Sequence, residues 1–588
     1  MNMEKKSLQS QNKKERNALR FRLLIIILSL VMINVIAAFV YKRFDLTTEK
    51  RYSLSDATLK LLKQNNKKIY IKVYLEGDLE SGFLRLKNST KDILQEMKSA
   101  SGGSFSFDFI NPLPSTATEE QKFAIYQELA AMGLQPTNLK VRKEEQYEER
   151  IIFPSLLVSV GENTLPVQIL ENQIGYSPEE ALNHSAISLE YKIANAIKKL
   201  SYNDIYNVSF LQGHGEYPPA YVFDFTNKLK ESRYKVSFNA IGKGFISNTG
   251  DTVLSWNYKT CDLLIVARPI APFSEFEKFQ IDQFIMRGGK VMWLLDGMDA
   301  DNGYLQNPDL LFMAKSHSLN IDEQLFKYGV RINKNLVQDG QQSAPIPVID
   351  NKTNEPMLFP WLYSPLLSPS NAHAIGKNLD PVLSNYCSSL DTIAENGIKK
   401  TIILSTSQYG RALPEPVRVH LAAIKEKQDF RFFKQPFIPT GVLLEGKFSS
   451  LYKNRMEVDF VKKLQEIGIS PIENGKNTKM IVFGDADIIK NHVSQKGEQY
   501  PLGYEIYSKQ VFANMDFLKN CVEYLTDTNG LLTARNKEIK LRLLDKQKVK
   551  EESIKWQLIN LLIPISLIVI FAIAYNYFRK RKWAMNSK

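Results

Sequence analysis

The residues best suited to chemistry form the tetrad Gly213-His214-Gly215-Glu216, which directly follows an apolar run typical of a buried strand. Ligands bind at the carboxyl ends of parallel strands, and a histidine beside a glutamate can serve in acid–base or metal chemistry. The other histidines show no ligand spacing, so no metal site is predicted. The pattern favours a glycine turn that carries a hydrogen-bonded histidine and a surface glutamate. It leaves His214 and Glu216 as candidate contacts to a ligand or a partner.

A second candidate, Gly484-Asp485-Ala486-Asp487, follows the last strand-like apolar run of the chain. Its two carboxylates could bind a cation or contact a ligand or partner. An aspartate directly after a strand is also a common helix N-cap, because its side chain accepts a hydrogen bond from a first-turn N–H group. The pattern favours the cap and leaves Asp485 and Asp487 as candidate contacts.

Nucleotide hydrolysis and nucleophilic catalysis are not indicated by the sequence. A P-loop needs a glycine-rich turn that ends in Lys-Ser or Lys-Thr, whereas Gly77 and Gly82 are followed by Phe83 and Leu84. No G-x-G-x-x-G motif occurs. We therefore predict no catalytic residue, no metal and no cofactor, and any ATP-driven role requires a separate subunit.

The elements expected before these motifs belong to an α/β domain at about 45–200, in which strand-like and helix-like stretches alternate. The predicted order is strand Lys68–Tyr74, helix Phe83–Met97, strand Ser104–Phe109, helix Glu119–Met132 and helix Ala186–Leu200.

A second α/β domain is predicted at 201–533. Ser274 and Glu277 have the spacing of a capping box, and Gly288-Gly289 ends the helix that follows, so a βαβ crossover is predicted there. Prolines interrupt the stretch from about 330 to 450, where we expect an irregular insertion of extended segments and loops. Four short apolar runs indicate strands buried on both faces of a parallel sheet: Tyr206–Leu211, Leu263–Ala267, Val291–Leu295 and Met480–Phe483.

Two uncharged segments frame these domains, from Leu23 to Val40 and from Trp556 to Phe578. A helix of about 20 apolar residues crosses the hydrocarbon core of a bilayer. We therefore predict transmembrane helices at 23–41 and 556–578. A charge-rich helical stalk at 534–555 is expected to lead into the second.

The distribution of charge predicts the topology. Basic residues are retained on the cytoplasmic side, and both tails, 1–22 and 579–588, are basic. We expect a two-pass inner-membrane protein with cytoplasmic termini and a periplasmic bulk. Of the net charge of +13, the first 41 residues carry +5 and residues 556–588 another +5, which leaves +3 on the region between them. That small excess gives no electrostatic indication of nucleic-acid binding.

The order of motifs, together with the two anchors, resembles the GldG family of Bacteroidetes, gliding-motility-associated ABC transporter substrate-binding proteins, over essentially the whole chain. This resemblance implies a permease subunit and a separate ATPase subunit in an inner-membrane complex that supports gliding motility. It supplies no ligand-binding residues. The motifs are Arg51-Tyr52-Ser53-Leu54-Ser55, Gly213-His214-Gly215-Glu216, the crossover Asp262–Leu295, Gly329–Asn333, Leu336–Asp339, Phe483–Asp487, Asn514–Phe517, and Asn560 with Pro564 in the last span.

Each domain also resembles a known fold without its chemistry. The second is similar to the class I glutamine amidotransferase-like (flavodoxin-like) fold, whose active members place a cysteine nucleophile on a turn after a strand. Here the corresponding turn reads Leu295-Asp296-Gly297-Met298 and has no cysteine or serine. The first domain is similar to a thioredoxin fold but has no cysteine at all.

The sequence therefore predicts a non-catalytic accessory or substrate-binding subunit of an ABC-type transporter, with an unknown ligand. Two alternatives stay open at this point. One is a membrane-anchored periplasmic hydrolase that uses His214 and Glu216. The other is a purely structural scaffold of the cell envelope.

Overall fold

The computed structural model describes residues 21–33, 53–531 with internal gaps, and 546–585 of the chain. Residues 1–537 and 538–588 form two separate compact units. The gaps within 53–531 are 78, 113–117, 144–145, 172–177, 202–204, 241–244, 247–251, 254–260, 307–308, 350–354, 396, 422–423, 425–429, 457–460, 463, 466–469, 495 and 528–529.

The first α/β domain contains the five predicted elements in the predicted order, and also a helix before them and four strands between the last two helices. Its helices, numbered after helix α1 at Phe21–Ile33, are α2 (Asp56–Gln64), α3 (Ser81–Ala100), α4 (Glu119–Ala131) and α5 (Pro178–Ser201). Its strands are β1 (Ile69–Val73), β2 (Phe105–Phe109), β3 (Thr137–Lys143), β4 (Gln146–Ile152), β5 (Ser155–Val160) and β6 (Asn163–Gln168).

The main sheet of this domain has the order β2-β1-β5-β6. Strands β1 and β2 are parallel, whereas β5 is antiparallel to both β1 and β6. Alternate residues of β1 are fully buried, and α3 and α5 supply buried apolar side chains to the same core. This period-2 burial is the reason why the segment forms a strand against a helical layer.

The second domain contains helices α6 (Phe223–Glu231), α7 (Glu275–Met286), α8 (Asp322–Tyr328) and α9 (Asn514–Thr526). Its strands are β7 (Asn207–Gln212), β8 (Lys235–Ala240), β9 (Phe245–Ile246), β10 (Thr252–Val253), β11 (Leu263–Ala267), β12 (Lys290–Leu294), β13 (Leu311–Ala314), β14 (Val330–Ile332), β15 (Asn335–Asp339), β16 (Ser343–Ile349), β17 (Pro356–Pro369), β18 (Val382–Leu383), β19 (Leu390–Thr392), β20 (Ile398–Ser405), β21 (Gly410–Pro414), β22 (Val417–His420), β23 (Pro439–Ser449), β24 (Asn474–Phe483), β25 (Tyr504–Glu505) and β26 (Gln510–Val511).

A mixed sheet lies at the centre of this domain, with the order β16-β17-β20-β23-β24-β12-β11-β7-β8 and β18 beside β17 within the described residues. Strands β24, β12, β11, β7 and β8 are parallel, and all four predicted apolar runs fall within this group. The parallel arrangement predicted for these four runs is confirmed. The remaining pairs are antiparallel, so the sheet is mixed and the prediction of a parallel-sheet domain is wrong for that half.

The stretch 330–450 is not the irregular insertion expected from its prolines. It contributes β16, β17, β20 and β23 to the central sheet. Pro345 and Pro347 lie on β16, the edge strand, where a residue without an N–H group is tolerated because one side of the strand has no neighbour.

The predicted crossover is confirmed as β11, α7 and β12 in parallel pairing. The Ser274 Oγ accepts a hydrogen bond from the Glu277 N–H at 3.3 Å, and the Ser274 N–H donates to the Glu277 Oε2 at 2.8 Å. Gly288 has a φ of 96°, which allows the sharp turn into β12. All five residues of β11 are buried, as expected for a strand covered on both faces.

Among the described residues, the helix Glu552–Arg581 is long and apolar enough to cross a membrane. It lies within α10 (Lys546–Met585), which contains the predicted span 556–578 and continues the predicted stalk from residue 546 onward. The first predicted span is described only as α1, and residues 34–41 lie outside the described residues. So do residues 534–545 of the stalk and most of the two tails, 1–20 and 586–588. The two-span topology therefore stays a prediction.

Candidate functional site

The carboxyl ends of β7, β11, β12 and β24 place several polar side chains at one edge of the central sheet. The turn after β7 carries His214, Glu216 and Tyr217. Arg268 follows β11, Asp296 follows β12, and Asp485 and Asp487 follow β24. Both pairs of candidate residues thus lie at the edge where open parallel sheets bind ligands.

The His214 side chain is buried and contacts one aromatic ring and two carboxylates. Only 4% of the residue is exposed, and its ring stacks on Phe273 at a centroid distance of 3.9 Å. Its Nδ1 lies 3.2 Å from the Glu216 Oε1, and its Nε2 lies 3.3 Å from the Glu277 Oε2. Burial lowers the pKa of His214, but the hydrogen bonds and charges of the two glutamates outweigh burial and raise it above its ordinary value. Both ring nitrogens of His214 therefore face glutamate carboxylates.

Glu216 is buried, so the expectation of a surface glutamate is wrong. Its Oε2 accepts a hydrogen bond from the His214 backbone N–H at 2.7 Å, which turns the carboxylate inward. Gly215 has a φ of 82°, and a Cβ there would lie 2.3 Å from Ile270. The turn therefore needs glycine and closes tightly over the histidine.

Asp485 accepts two backbone hydrogen bonds, from the Asn385 N–H at 2.9 Å and from the Asp487 N–H at 2.7 Å. It does not cap an α-helix as the sequence favoured, since only a short 3-10 turn, Asp487–Ile489, follows. Burial and the charges of Asp487 and Asp296 raise the pKa of Asp485 well above its ordinary value.

Asp487 lies in a group of charged residues from segments that are far apart in the sequence and were not predicted to be neighbours. The Tyr217 hydroxyl donates to its Oδ1, and the Lys490 Nζ lies 3.5 Å from the same oxygen. Lys490 also lies 3.9 Å from the Asp301 Oδ2. We call Asp296, Asp301, Asp485 and Asp487 the carboxylate cluster.

The carboxylate cluster has four carboxyl groups, and two cations, Arg268 and Lys490, lie beside it. The Arg268 Nε lies 3.4 Å from the Asp296 Oδ2, and the Ala486 N–H donates to the Asp296 Oδ1 at 2.8 Å. Arg268 and Lys490 also flank the Tyr217 ring at 5.4 Å and 5.5 Å from its centroid. Burial and the Asp487 charge raise the pKa of Asp296 to about 7, so the cluster retains protons near neutral pH.

The candidate residues form two separate groups. Among the described residues, no hydrogen bond or ion pair joins His214 or Glu216 to Asp485 or Asp487. Sequence reasoning missed Tyr217, Arg268, Asp296 and Lys490. The available signal was position, because Arg268 and Asp296 each directly follow a strand of the parallel group.

A cavity of about 600 Å³ opens beside Asp487 and Lys490. Tyrosines, one tryptophan, amides and carboxylates share its surface. Among the described residues, no group of three or more histidines, cysteines or carboxylates could hold a metal ion. The polar and aromatic lining includes Tyr221, Asp301, Asn302, Gln306, Trp361, Ser364, Asn385, Tyr386, Asp487, Lys490, Asn491, His492, Tyr504, Glu505, Tyr507 and Asn514.

The domain that carries this cavity also identifies the family. Residues 206–521, more than half of the chain, match the family described as an ABC-type uncharacterized transport system. The chain belongs to this family. It is an ABC transporter auxiliary protein, and membership implies an accessory role alongside transporter components. Residues 48–159 of this auxiliary protein match a domain of unknown function, DUF7088.

No curated protein matches this auxiliary protein. Two solved structures are similar to it over part of its length. The N-terminal domain of mmIFT52 is 12% identical with a TM-score of 0.29, over 54% of this chain and 97% of that domain. The E323A catalytic mutant of Gan42B, a GH42 β-galactosidase from G. stearothermophilus, is 10% identical with a TM-score of 0.18, over 73% of this chain and 56% of that chain. At such TM-scores neither similarity bears on the fold or function of the auxiliary protein.

Proposed function

We propose that this auxiliary protein is a non-catalytic, substrate-binding subunit of an ABC-type transporter in the inner membrane, and that the complex supports gliding motility. The family match over residues 206–521 carries the proposal. Its partners are a permease subunit and a separate ATPase subunit, because the chain has no P-loop of its own.

The membrane places the subunit beside its permease. The apolar helix Glu552–Arg581 supports an anchor at the carboxyl end, and the basic residues after it support a cytoplasmic terminus. In this proposal α1 begins the other anchor, and the two α/β domains between the anchors are periplasmic. The second span also docks on the permease, since Asn560 and Pro564 offer polar groups that a neighbouring helix can satisfy.

The geometry around His214 supports a non-catalytic role over a hydrolase. A general base needs a free nitrogen within reach of its substrate, and both nitrogens of His214 face buried glutamates. The histidine ties the turn after β7 to the start of α7 and to the loop after β11, because the Ile270 and Ala271 N–H groups donate to its carbonyl oxygen. These contacts are those of a structural residue.

One observation favours a scaffold role as a second candidate. Phe430, Phe432 and Phe437 are each about 60% exposed, while Phe433 between them is buried. We call the three exposed phenylalanines the aromatic tip. Arg411 lies over the Phe432 ring, and Phe437 has a φ of 52°, which is rare for a bulky residue. Exposed aromatic side chains are typical of protein interfaces.

A deletion strain tests the proposed function. Removing the gene should abolish gliding on a surface, and the full chain should restore it. A chain truncated before residue 546 should not restore it, because it lacks the anchor that holds it to the transporter. Normal gliding in the deletion strain would overturn the proposed role in motility.

A further inference from the structure

We infer that the cavity beside Asp487 binds a small organic cation that carries an ammonium or guanidinium group. This inference names the substrate class for the proposed substrate-binding role, on which it rests.

The cavity has the position and size of a ligand site. It opens beside the loop that follows β24, at the carboxyl edge of the parallel strands. Its volume of about 600 Å³ lies within the range of small-molecule sites, which is roughly 300–1,000 Å³. It is large enough for a molecule the size of a short peptide but not for a folded domain.

The charge of the lining favours a cation. Asp301, Asp487 and Glu505 line the cavity, and Lys490 is the one lysine or arginine among the described lining residues. Burial lowers the pKa of His492, so this fifth group is neutral at pH 7.

Lys490 lies beside Asp487 and Asp301, but its Nζ is farther from both carboxylates than in a good ion pair. Its Nζ lies 3.5 Å from Asp487 and 3.9 Å from Asp301, whereas a good charge-assisted hydrogen bond measures about 2.7–2.9 Å. The second oxygen of Asp487, Oδ2, accepts no hydrogen bond among the described residues. A ligand ammonium that approaches this oxygen to normal distance therefore pairs with Asp487 more closely than Lys490 does.

The aromatic wall supplies the remaining interactions. Tyr221, Tyr386 and Tyr504 line the cavity, and cations are attracted to aromatic rings.

Calorimetric titration of the purified full chain in detergent tests the inference. The probes are cadaverine and the N-formylated tripeptide Gly-Lys-Gly, whose one ammonium group is on the lysine side chain. The controls are the same N-formylated tripeptide acetylated on the lysine Nε, and N-formylated Gly-Glu-Gly. Binding of both cationic probes indicates recognition of a free ammonium group, and binding of the tripeptide alone indicates a lysine side chain on a peptide. Either result supports the inference. No binding of either cationic probe, or equal binding of the acetylated control, overturns it.

Variants locate the binding. Asp487→Asn should weaken the cationic probe about tenfold or more, because it removes the charge from one hydrogen bond. Asp391→Asn, which changes an exposed carboxylate paired with Arg331, is the matched control and should change nothing. Lys490→Met should tighten binding, since the internal ammonium no longer competes for Asp487.

Each variant is checked first for a cooperative melting transition. If Asp487→Asn fails to fold, Asp301→Asn and Lys490→Met give the same information. Unchanged affinity in the folded variants contradicts the inference. Because these titrations use the chain alone, their failure would leave the association with a transporter untouched.

Discussion

The Tyr191 hydroxyl on α5 donates a hydrogen bond to the Glu523 carboxylate on α9, so the first domain meets the second through a buried acid. Lys199 lies 2.9 Å from the same carboxylate, and the Asn195 amide donates to it at 3.1 Å. Burial raises the pKa of Glu523, but the nearby lysine charges and the Tyr191 hydrogen bond outweigh burial and hold it well below its ordinary value.

Glu523→Gln should lower the free energy of unfolding by about 3 kcal/mol, because breaking a buried ion pair leaves Lys199 without its counter-charge. Urea unfolding followed by circular dichroism measures the change. Glu323→Gln removes an exposed partner of Arg455 and should stay within about 0.5 kcal/mol of the parent. Equal effects from the two substitutions would contradict a stabilising role for Glu523.

The lowered pKa of Glu523 also predicts a pH dependence. The folded state holds this carboxylate ionised, so its contribution is present above the unfolded pKa of about 4.5 and is lost as the pH falls below it. Melting temperature should therefore fall less steeply below pH 4.5 in Glu523→Gln than in the parent chain. Parallel curves would show that Glu523 does not couple to folding.

The raised pKa of Asp296 predicts that folding stability changes with pH in the opposite direction, at higher pH. Its pKa in the folded state is raised to about 7, so the folded protein binds more protons than the unfolded chain between about pH 4 and 7. Stability should decline as the pH rises through this window. Asp296→Asn should reduce the decline, and Asp391→Asn should leave it unchanged. An unaltered slope in Asp296→Asn would exclude this carboxylate as its source.

His214 should matter for stability and not for catalysis. His214→Ala removes two carboxylate contacts and the stack on Phe273, so it should cost about 2–3 kcal/mol of unfolding free energy. The purified chain should hydrolyse neither ATP nor simple ester and amide substrates. An activity that His214→Ala abolishes, while exposed-residue variants retain it, would support the hydrolase alternative.

The crossover could be predicted from sequence because its signals are local. Ser274 and Glu277 are three residues apart, and Gly288 follows the helix they begin. Strands β16 and β17 were missed because prolines interrupt the usual strand pattern. Strand β23 was missed because its partners β20 and β24 lie far from it along the chain. The carboxylate cluster was also not predicted, because Asp296 and Asp487 are distant in the sequence and become neighbours only when β12 pairs with β24 in the sheet.

Topology is tested by reporter fusions. Fusions at the N-terminus and after Lys588 should report a cytoplasmic location, because both tails are basic. A reporter inserted near Asn351 should report export. A cytoplasmic signal from the internal reporter would overturn the periplasmic placement of both α/β domains.

Affinity purification from native membranes in mild detergent, followed by quantitative mass spectrometry, tests whether this chain is a transporter subunit. A permease and an ATPase should co-purify with the full chain in fixed ratio. A variant in which Trp556–Phe578 is replaced by a leucine–alanine helix of equal length should insert but lose both partners, because it lacks the polar groups of the native helix. Purification of the full chain with neither a permease nor an ATPase would contradict the account.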